Sequence, residues 1–138
     1  MAITKNGGRQ WPLTARVEFT WAELGTAVIA SSVLEAIDMP VGAIVTGGYL
    51  SVITDWVGPT AATVSVGDGG SAARYLADTT LLSGEGTIVA LVPTGYKYLA
   101  ADTIDLDLEQ TVAVSTAGAG ELVVEYIIDN KANEVVPV

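Results

Sequence analysis

A chain of 138 residues without a single cysteine or histidine is long enough for one domain with its own core. The composition excludes a disulfide framework and a thiolate metal site, and it removes the commonest general base and transition-metal ligand. A formal net charge of −10 disfavours nucleic acid and anionic membrane as partners, because no basic surface remains to displace counterions.

The charge is uneven along the chain. Lys5, Arg9 and Arg16 precede the first acid, Glu18, and from there on three basic residues face all sixteen acidic ones. Valine, threonine and isoleucine supply 42 β-branched residues and glycine 15 more, the mixture that suits pleated strands and tight turns. No run approaches the 18 apolar residues of a spanning helix, and no apolar segment of signal-peptide type follows Lys5, so the expectation is a protein made and kept soluble or released by lysis.

Met1 to Leu13 holds Asn6-Gly7-Gly8 and Trp11-Pro12 without periodicity, and residues 1–14 read as an irregular, basic N-terminal arm. Arg16 to Trp21 alternates, with Val17, Phe19 and Trp21 on one face and Arg16, Glu18 and Thr20 on the other, which is a half-buried strand. Thr26 to Ile37 mixes helical spacing (Ile29, Val33, Leu34, Ile37) with β-branched content, and reads as a strand interrupted near Ser31-Ser32. Asp38 to Gly70 is the organising stretch: a turn, a long strand, a Gly58-Pro59 turn, a second strand and a Gly67 to Gly70 turn. Within the long strand Leu50, Val52, Thr54 and Trp56 share one face and Tyr49, Ser51, Ile53 and Asp55 the other.

Ser71 to Leu76 reads as an irregular turn, Asp78 to Gly86 as a loop and Thr87 to Val92 as a short strand stopped by Pro93. Tyr96 and Tyr98 share a face if the backbone there is extended. Asp102 to Glu109 puts Ile104, Leu106 and Leu108 inward and Asp105, Asp107 and Glu109 outward, with Val112 to Val114 as an extension past a bulge. Ala117 to Gly120 reads as a flexible turn, Leu122 to Ile128 as the last strand, and residues 130–138 as an apolar tail ending in Val135-Val136-Pro137-Val138. Seven or eight strands without a helix make an all-β chain, an antiparallel β-sandwich or barrel with a jelly roll as the leading topology, and residues 15–129 as its body.

Little in the chain carries chemistry. Asp102, Asp105, Asp107 and Glu109 are the densest acids, but alternate strand residues lie ~7 Å apart and the glycine-centred loop spacing of a calcium site is missing. A solvated acidic face that keeps neighbours off the sheet is the better reading. The glycine clusters lack the lysine of a phosphate-binding loop, and the serines lack a histidine or a Ser-x-x-Lys partner. The expectation is no enzyme, no cofactor and no metal. Contacts with a partner fall instead to the arm (Lys5, Arg9, Trp11, Arg16), to aromatic residues near turns (Trp56, Tyr96, Tyr98) and to the tail (Val135, Val136).

Met39-Pro40-Val41-Gly42-Ala43-Ile44-Val45-Thr46-Gly47-Gly48, Thr63-Val64-Ser65-Val66-Gly67-Asp68, Arg74-Tyr75-Leu76, Pro93-Thr94-Gly95-Tyr96 and Gly120-Glu121-Leu122-Val123-Val124-Glu125-Tyr126 follow one another in a familiar order. This succession, spanning Ile37 to Tyr126, resembles small β-rich structural proteins of tailed-bacteriophage heads. Members often carry more aspartates where this chain has Gly69-Gly70-Ser71-Ala72-Ala73. The resemblance implies a virion protein on the outer capsid surface, a decoration or cement protein that meets the major capsid protein, associates with itself as a homotrimer, and needs neither nucleic acid nor membrane. The reading from another class is a carbohydrate-binding or host-adsorption module of a phage head or tail fibre.

Overall fold

The structure, a computed structural model, describes residues 9–24 and 32–131. Eight strands follow in order: β1 (Leu13–Thr20), β2 (Ser32–Met39), β3 (Ala43–Val57), β4 (Ala61–Asp68), β5 (Ser71–Thr80), β6 (Ile88–Ala90), β7 (Asp102–Thr111) and β8 (Ala117–Ile128). A short 3-10 turn, Trp21–Leu24, follows β1. They form two four-stranded antiparallel sheets, ordered β1-β8-β3-β6 and β2-β7-β4-β5. The hydrogen-bonded pairs β1–β8, β2–β7, β3–β6 and β4–β5 nest around the β4–β5 turn, so one long antiparallel ribbon is wound into a jelly-roll-like β-sandwich.

Period-two patterning selects the core. Leu50, Val52 and Trp56 of β3 are buried, as are Ile104, Leu106 and Leu108 of β7, while Asp105, Asp107 and Glu109 point outward. Thr54 departs from its expected face because the β3–β8 register shifts on both sides of it, and it is exposed. Two glycines of β8 make room for aromatic rings: a Cβ on Gly118 would stand 2.4 Å from the Trp56 indole, and one on Gly120 2.4 Å from the Phe19 ring. Phe19 and Trp56 then meet at 6.2 Å between ring centroids.

Four local expectations are corrected by tertiary pairing. Ser71 to Leu76 is strand, since β5 pairs with β4 through Thr80. Ala117 to Gly120 opens β8, because Ala119 pairs with both Thr20 and Thr54. Val112 does not extend β7: its φ of 73° turns the chain outward, and the buried Gln110 side-chain oxygen, Oε1, accepts hydrogen bonds from the N–H and hydroxyl of Ser115 to close that turn. Trp21 leaves β1 for the 3-10 turn, where it is exposed. β2 begins at Ser32 as the interrupted-strand reading required, while residues 25–31 of that reading lie outside the described residues.

Candidate interaction surfaces

The N-terminal end of β1, the C-terminal end of β8, the β2–β3 and β4–β5 turns and the segment 91–101 all gather at one pole of the sandwich. At the β4–β5 turn Asp68 ends its strand with its side chain inward, 1 % exposed. One carboxylate oxygen accepts the N–H groups of Gly70 (3.0 Å) and Ser71 (2.9 Å), which forms the turn. The other accepts from Arg74 Nε and from the Tyr98 hydroxyl (3.0 Å), and the Tyr75 and Tyr98 hydroxyls lie 2.8 Å apart. The Arg74 guanidinium covers the Tyr96 ring at 3.7 Å from its centroid, and Tyr96 meets Tyr98 edge-on at 5.2 Å.

Burial alone would raise the Asp68 carboxyl, but the hydrogen bonds from Arg74, Tyr98, Gly70 and Ser71 outweigh it and hold the group below its ordinary value. Burial pushes the Tyr98 hydroxyl up, and its bonds to Tyr75 and Asp68 push it further. The buried charge is therefore paired, with four donors around one carboxylate. The two sides of the β4–β5 hairpin, at Asp68 and Arg74, are fastened by this single side chain to Tyr98, 30 residues further along the chain.

The fastening sets the irregular segment 91–101 in place. Gly42 donates to the Tyr98 carbonyl (2.7 Å), Tyr98 donates to Ala43 (3.0 Å) and Val92 donates to Tyr75 (2.9 Å). Gln10 is pinned across the same pole: its amide nitrogen donates to the carbonyls of Ile128 (2.6 Å) and Lys131 (2.9 Å), and its oxygen accepts the Ile128 N–H (2.5 Å). Between these locked residues apolar side chains stand in solvent, among them Trp11 (71 % exposed), Val41 (58 %), Leu99 (80 %) and Tyr96 (39 %). A rigid backbone presenting exposed apolar side chains loses little conformational freedom on association.

Among the sequence-predicted contact residues, Arg9 and Trp11 are exposed at this pole, and Tyr96 keeps one edge in solvent. Arg16 lies on the outer face of the β1-β8-β3-β6 sheet, where its guanidinium holds both carboxylate oxygens of Glu121 at 2.8 Å. Trp56 and Tyr98 require correction as contact residues, since both are buried: Trp56 beneath Gly118 and Phe19, Tyr98 in the Asp68 network. The Trp56 indole N–H finds no hydrogen-bond partner among the described residues. Lys5, Val135 and Val136 lie outside the described residues. Sequence reasoning missed Asp68, Leu99 and Val41. The Gly-Asp turn followed six residues on by arginine was the available signal for the first, whereas an isolated leucine in a loop carries none.

Comparison with solved structures finds the same fold in three phage capsids. The chain is similar to one in the cyanophage Pam1 capsid asymmetric unit at a TM-score of 0.69 and 24 % identity, over 93 % of this chain and 91 % of that one. A chain in the acid-stable capsid structure of Helicobacter pylori bacteriophage KHP30 gives a TM-score of 0.68 and 17 % identity over 93 % and 95 % of the two chains. One in the capsid of Ralstonia phage GP4 gives 0.63 and 16 % over 95 % and 92 %. No family model and no curated protein matches the sequence.

Proposed function

We propose that this chain is a structural protein of a bacteriophage head, a decoration or cement protein that sits on the outer capsid surface, associates as a homotrimer and bridges major capsid subunits. The observation that carries the reading is the end-to-end likeness to chains of three phage capsid structures, each spanning more than nine-tenths of both partners. The pole geometry supports it. Both ends of the described chain, at Gln10 and Lys131, meet at the pole that exposes Trp11, Val41 and Leu99. Each copy would tie neighbouring subunits by several weak contacts, and linking them raises the stability of the shell far beyond one interface. No catalytic step enters this role.

The sugar-binding alternative relied on exposed aromatic faces. Trp56 is buried, and one face of Tyr96 is covered by Arg74.

The deciding experiment is imaging of purified particles with quantification of this chain against the major capsid protein. Hundreds of copies at threefold or quasi-threefold positions are the expected result. A handful confined to a tail or a single vertex would overturn the cement role.

A further inference from the structure

The chain does not run straight on past the end of β8. The Lys131 N–H donates to the Ile128 carbonyl (3.3 Å), Asn130 takes a left-handed φ of 60°, and Asp129 Oδ1 accepts the Asn130 N–H (3.1 Å). These bonds close a β-turn, which bends the chain back toward the pole. The turn is held from both sides. The Gly42 carbonyl accepts the Asp129 N–H, and across β8 from it the Gln10 amide nitrogen holds the Ile128 and Lys131 carbonyls. Lys131 is thereby fixed on the side of Gln10, whose neighbour Trp11 has its ring mostly in solvent.

We infer that this ring is covered by the chain's own residues 132–138, with Val135 and Val136 packed on the Trp11 indole. Reach permits it: at full extension the two valines lie up to ~13 and ~17 Å from Lys131, enough to meet the residue next to Gln10. The sequence Ala-Asn-Glu-Val-Val-Pro-Val suits the task, since β-branched side chains and a proline of fixed φ lose little freedom on packing. Glu134 would come beside Arg9, an exposed opposite charge two residues before Trp11. The N-terminal segment is a poorer occupant. Its large apolar residues, Met1 and Ile3, are separated from Arg9 by Thr4-Lys5-Asn6-Gly7-Gly8, which is polar and carries the two residues that cost most to order. A second copy is poorer still. So short a tether holds the tail at an effective concentration on the order of millimolar, which at micromolar protein favours it about a thousandfold over the same segment from another molecule. On the reading of the preceding section, Trp11 becomes free for a capsid subunit only when the tail swings aside, and until then free copies do not adhere through it.

The test reads the Trp11 indole in the full chain. Trp21→Phe removes the other exposed indole and Trp56 is buried, so acrylamide quenching of the remaining emission reports on Trp11. Replacing Val135, Val136 and Val138 by serine is expected to raise the quenching constant severalfold and shift the emission to the red. Val135→Ile with Val136→Ile should keep the protection, which separates loss of the apolar cover from any general effect of altering the tail. The protection should also survive hundredfold dilution of the parent. A quenching constant indifferent to the serine substitutions overturns the inference, and so does protection that fades on dilution, which would make the occupant a second copy. Particle occupancy is measured apart from it, so an uncovered Trp11 removes the tail contact and leaves the cement role standing.

Discussion

At the scale of single residues Asp68 is the group on which the pole depends. Removing its charge leaves Arg74 without its partner in a site where the carboxylate side chain is almost wholly enclosed. Breaking such a pair from one side costs about 3 kcal/mol, and Asp68→Asn should lower the urea midpoint accordingly. The same residue predicts an acid limb. Its folded pKa lies below the unfolded value, so its contribution is complete above about pH 4 and is lost as pH falls through the folded value. Stability measured from pH 7 to 2 should fall more steeply in the parent than in Asp68→Asn; parallel curves would show that Asp68 titrates normally. Gly120 acts by lacking a side chain. Gly120→Ala drives a methyl into the Phe19 ring and should cost about 1–3 kcal/mol in thermal unfolding.

At the scale of elements, the strands are held by pairing and the turns by single side chains. Val112 ends β7 in a left-handed conformation that a β-branched residue adopts at a cost, while its side chain is 74 % exposed and contributes little burial. Val112→Asn should therefore stabilise the fold by roughly 0.5–1 kcal/mol, seen as a rise of a few degrees in the unfolding midpoint. Gln10 plays the opposite part, since three hydrogen bonds fasten the segment before β1 to the end of β8. Gln10→Ala should speed amide exchange at Ile128 while leaving the central Val124 unchanged, because fraying at a strand end opens locally rather than globally. Equal acceleration at both amides would place Gln10 in the global unfolding unit.

At the scale of the whole molecule, the pole structure sharpens how the arm should be tested. Leu13 already pairs with Tyr126 and Gln10 clamps β8, so deletion of Met1 to Leu13 would damage the body as well as remove the arm. Deleting residues 1–8 spares both. The shortened chain should unfold at the parent temperature but lose occupancy on capsids at least tenfold, because several linked contacts fall together. Undiminished occupancy would show that the body, not the arm, anchors the chain.

The sequence alone determined the fold class, the long β3 strand, the alternation of β7 and the turn at Gly58-Pro59, and it placed a turn within Gly67 to Gly70, of which the structure leaves Gly69-Gly70 outside the strands. These follow from side-chain periodicity and turn chemistry, which are local properties of the chain. Ser71 to Leu76 and Ala117 to Gly120 were illegible as strands, because alanine and glycine carry no period and take strand form only when β4, β1 and β3 supply partners. Tertiary structure likewise decided which aromatics meet solvent. Trp56 and Tyr98 are sealed by Gly118 and Asp68, which stand 62 and 30 residues away from them, and Leu99 is left exposed by the same fastening. Contacts at such separations depend on sheet order and register, which no single stretch of sequence encodes.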